Sequence, residues 1–583
     1  MPMAALKSPV RWITPARIEA EEISLQNELS IPRILAAVLI QRGFSDPAAA
    51  YKFLNPSIDH LHDPSLLPDY QEAIHEILGA RERKEKIFVH GDYDVDGVTS
   101  AALYSRFLTK IGCDVHAHVP HRMKEGYGIH ETAVLDAQAT GAKLFLTCDC
   151  GISAHKQVAL AKQLGMRVVV TDHHTVGEEL PDAAAVVNPH RKGSKYPFPE
   201  ISGAGVAFKL CEGLTRELGH SKEHYCRAYL DLAALGTIAD VMPLLDENRV
   251  IAKFGLERIK DTKKVGLQAL LRETELLDGP QPLTTRHVGW VLGPRLNAAG
   301  RIDDAALALR LLLETDEIQG ALIARQIEQI NSDRKTEQQK ILDEAIGDVE
   351  SEGLHERNVI LVARPDWHPG VIGIVAGRLV EQFGRPAFVA SIDPESGQCK
   401  GSARTIPGFN LAQAIHKHQH LLLSGGGHAM AAGFSVHVDQ VAELAAALHE
   451  YAGSILTAED FVITVQADLE VLCPEIDHAS VEAISLMQPF GCENPAPTFL
   501  ARGMSFVQVT PTKKPEHAQA ILREGDGLAV NCVGFGLGER MAELPSGFEA
   551  DVLFQPEIDT WNGNRRLKWV IKDFAAVPAI SLR

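Results

Sequence analysis

The sequence has 583 residues, more than one hydrophobic core organises, so we expect several domains. A formal net charge of −19 argues against a protein that coats nucleic acid through a basic surface, although a local basic groove is compatible with it. Nine cysteines without a CxxC pair argue against a zinc finger or a disulfide framework and predict reduced, buried thiols. No apolar run approaches the length of a membrane span and residues 1–12 lack the apolar core of a signal peptide, so we expect no membrane association and a cytoplasmic location.

Residues 1–70 predict a helical lead-in. Pro56, Pro64 and Pro68 indicate that the helical segment ends near residue 70. No motif with catalytic or binding chemistry lies in this segment, so the sequence assigns no function to it.

An acidic stretch follows an apolar segment at residues 87–89. The three residues Ile-Phe-Val predict a buried strand, and the strand runs directly into a histidine and three acids. These polar residues are His90, Asp92, Asp94 and Asp96. Alternate spacing puts their side chains on one side of an extended strand, where like charges cost free energy unless cations lie between them. A solvated acidic turn is the alternative, but such a turn requires neither the histidine nor the buried strand.

Strand and helix alternate after this stretch. The predicted helices lie near Ser100–Ile111, Glu131–Thr140 and Ser153–Leu164, and the predicted strands at Asp114–Val119, Lys143–Cys148, Arg167–Thr171 and Ala183–Val187. This alternation is typical of a parallel α/β sheet, whose ligands gather beyond the carboxyl ends of the strands.

Further candidate ligands follow these strands. They are Asp149 after the strand that ends at Cys148, Asp172-His173-His174 after the strand that ends at Thr171, and Asp240 at the end of an apolar run. Asp240 taken alone indicates helix termination, but the combined set of oxygen and nitrogen ligands suits hard divalent cations. The imidazoles shift the preference from Mg²⁺ toward Mn²⁺. Two such ions would activate a water and stabilise the leaving oxygen of a phosphoryl displacement.

The four motifs resemble those of the DHH phosphoesterase superfamily. They are His90-x-x-x-Asp94-x-Asp96, Asp149, Asp172-His173-His174 and Asp240. The resemblance implies two Mn²⁺ or Mg²⁺ ions, bound by His90, Asp94, Asp96, Asp149, His173 and Asp240. The candidate catalytic residues are Asp149, which would bridge the ions, His174, which would touch the scissile phosphate, and Asp92, which would orient a ligand.

The segment from Asp303 to about Leu354 predicts a helical connection between two domains. Its apolar stripe gives way to residues 331–340, which contain no apolar side chain, before Ile341 resumes the stripe. A helix that bridges two domains through solvent would show this pattern. Just before it, Arg295 and Arg301 lie among small residues and are candidates to bind substrate phosphate. A tight packed turn with exposed arginines explains them equally well.

A second α/β unit follows. The predicted elements are strands at Asn358–Ala363 and Ala387–Ala390 and a glycine-rich helix start at Gly370–Arg378. Glycines at 401 and within 424–433 leave backbone amides open to an anion, although ordinary turns explain most glycine loops. With Trp367-His368 and the Gly-Gly-Gly-His run, these segments resemble the DHHA1 domain, which accompanies DHH domains and holds substrate. The resemblance implies contacts with substrate phosphate by Ser402, Arg404 and His428.

The chain beyond about residue 455 predicts short strands. They lie at Phe461–Val465, Thr498–Ala501, Ala529–Val533 and Asp551–Phe554, followed by a hairpin in which Trp561 meets the turn Asn562-Gly563. Beyond the turn, basic and apolar side chains alternate, so one strand face is basic. A five-stranded OB barrel that binds single-stranded nucleic acid would use this pattern, and an edge strand protected by lysine is the alternative. The candidate DNA-binding residues are Arg566, Lys568, Lys572 and Trp569.

Together these parts resemble the RecJ exonuclease family, and residues 488–497 resemble the segment that enters its OB domain. The predicted fold class is α/β multidomain: a parallel-sheet DHH domain, a long connecting helix, an α/β DHHA1 domain and a C-terminal OB-like β-barrel. We place the lead-in at 1–70, the DHH domain at 71–300, the connecting helix at 301–355, the DHHA1 domain at 356–454 and the OB-like domain at 455–583.

The family resemblance implies a metal-dependent 5′ to 3′ exonuclease on single-stranded DNA that releases 5′-mononucleotides in DNA repair and recombination. We expect a monomer whose partners are single-stranded DNA, a single-strand-binding protein and a helicase. A DHH/DHHA1 phosphodiesterase of short oligonucleotides or cyclic dinucleotides is one alternative, but it leaves the OB-like domain without a purpose. A non-catalytic replication scaffold is the other, and it would have lost ligands that this sequence keeps.

Overall fold

A computed structural model describes residues 10–121, 125–126, 128–279, 281–302, 304–561 and 564–576. The chain divides into two compact units. The central unit contains residues 55–334 and the short segment 488–495, and the flanking unit contains the described residues of 1–54, 335–487 and 496–583. The predicted turn at Asn562-Gly563 and the residue Asp303 lie outside the described residues.

The N-terminal lead-in begins with a strand that the sequence does not predict. Its elements are β1 (Val10–Ile13), α1 (Glu19–Leu29), α2 (Arg33–Gln41) and α3 (Pro47–Leu54). Strand β1 pairs in parallel with Ile463–Gln466, so the prediction of a purely helical lead-in is wrong at β1. No single described helix is long and apolar enough to cross a membrane; α1 and α2 meet that test only as a pair, bent by 118°.

The central unit is built on a five-stranded parallel sheet. Its strands are β2 (Lys86–Gly91), β3 (Asp114–His118), β4 (Leu144–Cys148), β5 (Arg167–Thr171) and β6 (Ala185–Val187), in the order β3-β2-β4-β5-β6. Strands β2, β4 and β5 are almost wholly buried, as their continuous apolar runs predict for a sheet covered on both faces. All neighbouring strands are parallel, so the polar residues that follow them meet at one edge.

The helices of the central unit pack against this sheet and against one another. They are α4 (Tyr70–Glu82), α5 (Val95–Lys110), α6 (Glu131–Ala139), α7 (His155–Gln163), α8 (Gly203–Glu217), α9 (Lys222–Ala239), α10 (Asp246–Lys260), α11 (Val265–Glu273), α12 (Thr285–His287), α13 (Gly293–Ile302) and α14 (Ala306–Leu313). Short 3₁₀ helices span Ile58–His60 and Pro64–Leu66, and a π-helical turn spans Val288–Leu292. Helices α5, α8 and α9 pack together in the main core, and they carry functional side chains at their ends.

The connecting helix α15 spans Glu317–Ser351. Its first half contributes Ile323 and Ile327 to the core of the central unit, and its second half contributes Ile341 and Val349 to a core of the flanking unit. Most of residues 331–340, between these halves, are exposed, as predicted for a bridging helix, and two of the residues are buried. Asn331 and Arg334 are buried, and the guanidinium donates to Oδ1 of Asn331 at 3.1 Å. The prediction missed only these two residues, because buried polar side chains can pair with each other.

The second α/β sheet has five strands. The elements are β7 (Ile360–Pro365), α16 (Ile372–Phe383), β8 (Ala387–Ile392), β9 (Gln398–Arg404), α17 (Leu411–Lys417), β10 (Ser424–Gly427), β11 (Ala431–His437) and α18 (Val441–Ile455). The strand order is β10-β11-β9-β8-β7, with only β7 and β8 parallel. Short 3₁₀ helices span Leu354–Glu356, Gln419–Leu421 and Val438–Gln440.

The C-terminal region is a closed five-stranded barrel. After β12 (Ile463–Gln466), the elements are β13 (Leu469–Glu470), α19 (His478–Ser485), β14 (Phe499–Pro511), β15 (His517–Glu524), β16 (Ala529–Phe535), α20 (Gly538–Ala542), β17 (Phe548–Trp561) and β18 (Asn564–Ala576), with 3₁₀ helices at Ala458–Phe461 and Cys473–Glu475. Pairing of β14 with β17 closes the barrel. Strand β12 pairs with β1 and lies outside the barrel, which corrects its predicted place, and β15 was not predicted.

All nine cysteines are free, and seven of them are buried. This agrees with the predicted absence of a disulfide framework. The predicted α/β multidomain class is confirmed by the two sheets, the connecting helix and the barrel.

Candidate metal centre

Four segments deliver ligand-type side chains to the carboxyl edge of the parallel sheet. Asp92, Asp94 and Asp96 follow β2, Asp149 follows β4, His173 and His174 follow β5, and Asp240 terminates α9. Parallel pairing of β2, β4 and β5 brings the first three segments to one edge, and α9 brings the fourth. The sequence prediction that these strand ends converge is therefore met by the geometry.

Two glycines leave room for the central carboxylates. The carboxylate of Asp96 accepts from the backbone N–H groups of Gly203 at 2.6 Å and Ala204 at 3.0 Å, at the N-terminal end of α8. A Cβ on Gly203 would lie 2.5 Å from Cβ of Asp149, and one on Gly236 would lie 2.3 Å from Oδ1 of Asp96. No larger residue fits at either glycine without displacing an acid.

His173 lies at the middle of the acidic cluster. Its Nε2 is 3.1 Å from Oδ1 of Asp149, 3.6 Å from Oδ2 of Asp240 and 3.8 Å from Oδ2 of Asp96. Candidate ligand atoms of Asp96, His173 and Asp240 lie within 4.8 Å of one another, and so do those of Asp149, His173 and His174. His173 thus belongs to two three-residue groups of a size that suits a divalent cation.

The acids of this cluster hold their protons more tightly than ordinary carboxyls. Burial, followed by the charges of Asp96 and Asp94, raises the pKa of Asp149 well above its usual range. Burial and the charge of Asp94 raise the pKa of Asp96 to about 7, and burial and neighbouring acids raise the pKa of Asp240 to about 8. Neighbouring carboxyl groups have raised pKa values when no cation lies between them, and a bound divalent cation lowers those pKa values.

The protonation of His173 and the unpaired oxygen of Asp149 also suit a bound cation. Burial and the nearby His174 lower the pKa of His173 to about 4, so its ring is neutral at pH 7, and the ring hydrogen-bonds the backbone of Ile201. Oδ1 of Asp149 is buried and accepts no hydrogen bond from any described residue. A neutral imidazole fixed by a backbone partner and an unsatisfied carboxylate oxygen are the expected surroundings of a bound metal.

His174 is held by Asp172 rather than by the cluster. Asp172 accepts from the backbone N–H groups of Ile152, His173 and His174 at 2.9, 2.8 and 3.1 Å, and its Oδ1 lies 2.8 Å from Nδ1 of His174. Burial lowers the pKa of His174, but the hydrogen bond and charge of Asp172 outweigh burial and raise it to about 9. The side chain is therefore a cationic donor at neutral pH.

His90 lies apart from both three-residue groups. Its Nδ1 is 3.1 Å from Nδ1 of His118, its Nε2 is 3.3 Å from the carbonyl oxygen of Gly128, and its ring stacks on Phe145. Burial, followed by the charge of His118, lowers the pKa of His90 to about 3. Metal ligation by His90 stays a prediction.

Asp92 and Asp94 flank the cluster in different ways. Oδ1 of Asp94 caps α5 by accepting from the backbone N–H of Gly97 at 3.0 Å. The charge of Asp94 raises the pKa of Asp96 and of Asp149. Asp92 is buried and accepts from the N–H of Gly128 at 3.4 Å; burial and the charge of Asp94 raise its pKa well above the usual range.

The second sheet brings the other predicted phosphate contacts together. Nη1 of Arg404 donates to Oγ of Ser402 at 3.1 Å, and both residues lie on β9 with alternate spacing. Arg404 is opposite Ala431 on β11, and the N–H of His428 donates to the carbonyl of Ala431 at 2.8 Å. A Cβ on Gly373 would lie 2.9 Å from Oγ of Ser402, so the start of α16 also borders this group.

Arg295 and Arg301 lie on α13. The guanidinium of Arg295 pairs with the carboxylate of Glu328 and donates to the carbonyl of Val291 at 2.8 Å. Arg301 lies in the last turn of α13. Arg295 therefore lies on a helix rather than in an exposed turn, and Glu328 balances its charge within the central unit.

The barrel corrects one predicted DNA contact. Trp569 is 0% exposed and stacks on Phe554 with a centroid distance of 3.6 Å, so its ring belongs to the barrel core and cannot stack on bases. Arg566 and Lys568 instead line a groove of about 740 Å³, whereas Lys572 lies farther along β18. Nζ of Lys568 lies 3.5 Å from Oδ2 of Asp559.

Several residues of these sites escaped the sequence analysis. In the groove they are Lys513, Lys514, His517 and Phe535, the last 50% exposed. In the metal centre they are Gly203 and Gly236. A lysine pair in a turn carries a weak signal, and the glycines act through the absence of a side chain, which only three-dimensional contact reveals.

Family models match three parts of the chain. The model for the DHH family, N-terminal domain, matches residues 86–237, that for the DHHA1 domain matches residues 356–454, and that for the RecJ OB domain matches residues 467–573. The parallel sheet with its acidic edge, the second α/β sheet and the barrel thus define a DHH/DHHA1 protein with an OB domain. The chain belongs to the RecJ family of single-stranded-DNA-specific exonucleases.

Relatives and solved structures support this membership along nearly the whole chain. The chain is 39% identical to the single-stranded-DNA-specific exonuclease RecJ of Bacillus subtilis, covering 98% of this chain and 71% of the relative. It is 34% identical to RecJ of Dickeya dadantii, covering 93% and 96%. The crystal structure of RecJ in complex with Mn²⁺ from Thermus thermophilus superposes with a TM-score of 0.83 at 30% identity, covering 98% of this chain and 80% of that one.

Proposed function

We propose that this protein is a metal-dependent exonuclease that degrades single-stranded DNA from the 5′ end and releases 5′-mononucleotides, in DNA repair and recombination. The observation that carries the proposal is the position of His173, whose Nε2 lies 3.1, 3.6 and 3.8 Å from carboxylate oxygens of Asp149, Asp240 and Asp96. The family relatives are named single-stranded-DNA-specific exonucleases, and two solved structures of RecJ from Thermus thermophilus are complexes with a divalent cation, Mn²⁺ in one and Mg²⁺ in the other.

The centre would hold two divalent ions, Mn²⁺ or Mg²⁺. Asp96, His173 and Asp240 would hold one ion, and Asp149, with His90 and Asp94, would hold the other. Asp149 would contact both ions. When bound, such ions lower the pKa of water and offset charge on the phosphodiester oxygens.

The chain's own groups orient the substrate and hold protons. The backbone amides at the start of α8 hold the carboxylate of Asp96 in one direction. His174, charged because of Asp172, donates a hydrogen bond to the scissile phosphate. Asp92, buried against the N–H of Gly128, orients the neighbouring loop and its ligands.

Ser402, Arg404 and His428 would bind the terminal 5′ phosphate. Arginine offers a planar fork that matches phosphate, and Ser402 already contacts that fork. Recognition of a 5′ phosphate would make the enzyme begin at the 5′ end. If Arg404 has another role, Arg295 and Arg301 are the remaining candidates, although Glu328 already balances Arg295.

The barrel would bind the single strand through a groove of its own. Its groove is lined by the cations Lys513, Lys514, Arg566 and Lys568 and by the exposed ring of Phe535. Cations along a groove with an aromatic surface are typical of sequence-independent single-strand binding. This groove gives the OB domain a purpose that the alternative small-substrate phosphodiesterase lacks.

The domain boundaries, the oligomeric state, the location and the protein partners are further proposals. The domains would span residues 1–70, 71–300, 301–355, 356–454 and 455–583. The protein would act as a cytoplasmic monomer, and a single-strand-binding protein and a helicase would supply its substrate.

Metal binding tests the two-ion proposal without relying on turnover. Calorimetric titration of the metal-free protein with Mn²⁺ should give two ions per chain, and Asp149→Asn should lose both because the bridging carboxylate is gone. Asp182→Asn, which alters an exposed acid paired with Lys162, should bind two ions like the unaltered protein. One ion per chain, or unchanged binding by Asp149→Asn, would contradict the proposal.

A further inference from the structure

Trp290 is a large aromatic side chain left in solvent. Among the tryptophans whose side chains the structure describes, it alone is exposed, with 64% of its surface accessible. Burial of an aromatic ring of this size stabilises a fold substantially, so its exposure forgoes free energy. Exposed apolar side chains gathered at one place mark binding surfaces.

The backbone around Trp290 is unusual and lies next to the metal centre. Trp290 belongs to the π-helical turn Val288–Leu292, and π turns are rare and frequent at functional sites. The turn packs on the C-terminal end of α9, because a Cβ on Gly293 would lie 3.6 Å from Cβ of Ala239. Gly293 follows Trp290 by less than one turn, and Ala239 directly precedes Asp240. The turn that contains Trp290 therefore packs against the residue that precedes a candidate metal ligand.

A second exposed apolar side chain follows Asp240. Val241 is 67% exposed and has φ of 59°, in the left-handed region that β-branched residues rarely adopt. The N–H groups of Val241 and Met242 donate to the carbonyls of Ile238 and Thr237 at 3.3 and 3.2 Å, which is a Schellman motif whose strained position usually holds glycine. Backbone strain of this kind clusters at functional sites.

We propose that Trp290 forms a base-stacking site that holds a nucleobase of the single strand beside the phosphate at the metal centre, with Val241 as a further apolar contact. The inference rests on the proposed function, since it states how the same site grips its substrate. Every base has a π face, so an indole platform contributes affinity without selecting a sequence. A base held there would keep its phosphate from sliding past the ligands.

Indole fluorescence tests this contact directly. The full-length unaltered protein is mixed in Mn²⁺ with a 5′-phosphorylated oligothymidylate of about six nucleotides whose phosphorothioate linkages resist cleavage. Stacking should quench a component of the emission that is absent from the Trp290→Phe protein. In the nuclease-competent protein, Trp290→Ala should raise KM between about 5-fold and 150-fold, the range known for loss of one stacking contact, with kcat changed far less. Trp290→Phe should restore KM because it keeps a ring.

The control variant is Ile318→Ala, which removes an apolar side chain that is 71% exposed in the same unit and should leave KM unchanged. Unquenched emission, or an unchanged KM for Trp290→Ala, would overturn the inference if the unaltered protein cuts the strand. If the unaltered protein cuts no single strand, the proposed function fails, and the stacking site fails with it.

Discussion

Oδ1 of Asp172 lies 2.8 Å from Nδ1 of His174, and this contact sets the charge of the histidine. Burial alone lowers the pKa of His174, whereas the hydrogen bond and charge of Asp172 raise it to about 9. The imidazolium is thus kept through neutral pH and lost only as the pH rises through about 9.

Asp172→Asn should therefore lower the pKa of His174, because burial is then opposed only by the weaker charges of Asp240 and Asp96. In the metal-free protein, NMR should place the midpoint for His174 near 9 and the midpoint for the variant well below it. Asp182→Asn is the matched control and should leave the midpoint in place. An equal midpoint in Asp172→Asn would show that another group holds the proton.

Gly236→Ala should disturb the metal centre through sterics alone. The new Cβ would lie 2.3 Å from Oδ1 of Asp96 and 2.6 Å from Oγ1 of Thr99, so the carboxylate must move. We expect weaker Mn²⁺ binding and a loss of about 1–3 kcal/mol in the free energy of unfolding, as in other overpacked cores.

The control is Gly347→Ala on α15, where a Cβ would meet nothing within 4 Å and should stabilise the helix by up to about 1 kcal/mol. Calorimetry and chemical denaturation measure both quantities. Normal Mn²⁺ affinity in Gly236→Ala would mean that Asp96 is not a ligand.

Arg404→Ala should reduce the preference for 5′-phosphorylated over 5′-hydroxyl strands. The variant removes the guanidinium that contacts Ser402 and would recognise the terminal phosphate. Competition between the two strands in one reaction measures the ratio. Arg378→Ala, which removes an arginine paired with Glu381, should keep the ratio of the unaltered protein. An unchanged ratio in Arg404→Ala would transfer the role to another residue.

Arg566→Gln should weaken binding of long single strands and make it less sensitive to salt. Arg566 lines the barrel groove, and each lost phosphate contact lowers the slope of log K against log salt by about 0.7 for a single strand. Strands of a few nucleotides should be cut at nearly the original rate. The neighbouring change Arg565→Gln removes an arginine paired with Glu482 and is the matched control. Equal salt slopes for both variants would refute a DNA-binding groove.

These point changes are better tests than removal of the barrel. Ending the chain near Tyr451 would cut within α18 and delete β12, the partner of β1. A truncated protein could lose activity because its N-terminal strand is left without a partner.

The sequence predicted the parallel sheet and most of its acidic edge because each part carries a local signal. An apolar run followed by a polar residue marks a strand end, and Asp149 and His173 lie where such ends converge. The pairing of β1 with β12 was missed because it joins segments from opposite ends of the chain. The role of Gly203 was missed because its contact with Asp149 depends on the packing of α8 against the sheet.

Trp569 shows a different limit. The alternation on β18 separates basic from apolar side chains, and Trp569 lies on the apolar face, where it packs against Phe554 inside the barrel. A tryptophan in a single-strand-binding fold suggested base stacking, but the alternation was the stronger physical signal. The exposed ring in the groove belongs to Phe535, on another strand.

The central claim is metal-dependent degradation of single-stranded DNA from the 5′ end. The most direct measurement follows one strand labelled at its 5′ end and the same strand labelled at its 3′ end, with products sized over time in Mn²⁺. We predict that the 5′ label leaves at once as a mononucleotide while the 3′-labelled strand shortens step by step, and that EDTA or Asp149→Asn stops both. Internal cuts, turnover that survives EDTA, or hydrolysis confined to strands of a few nucleotides would contradict the account.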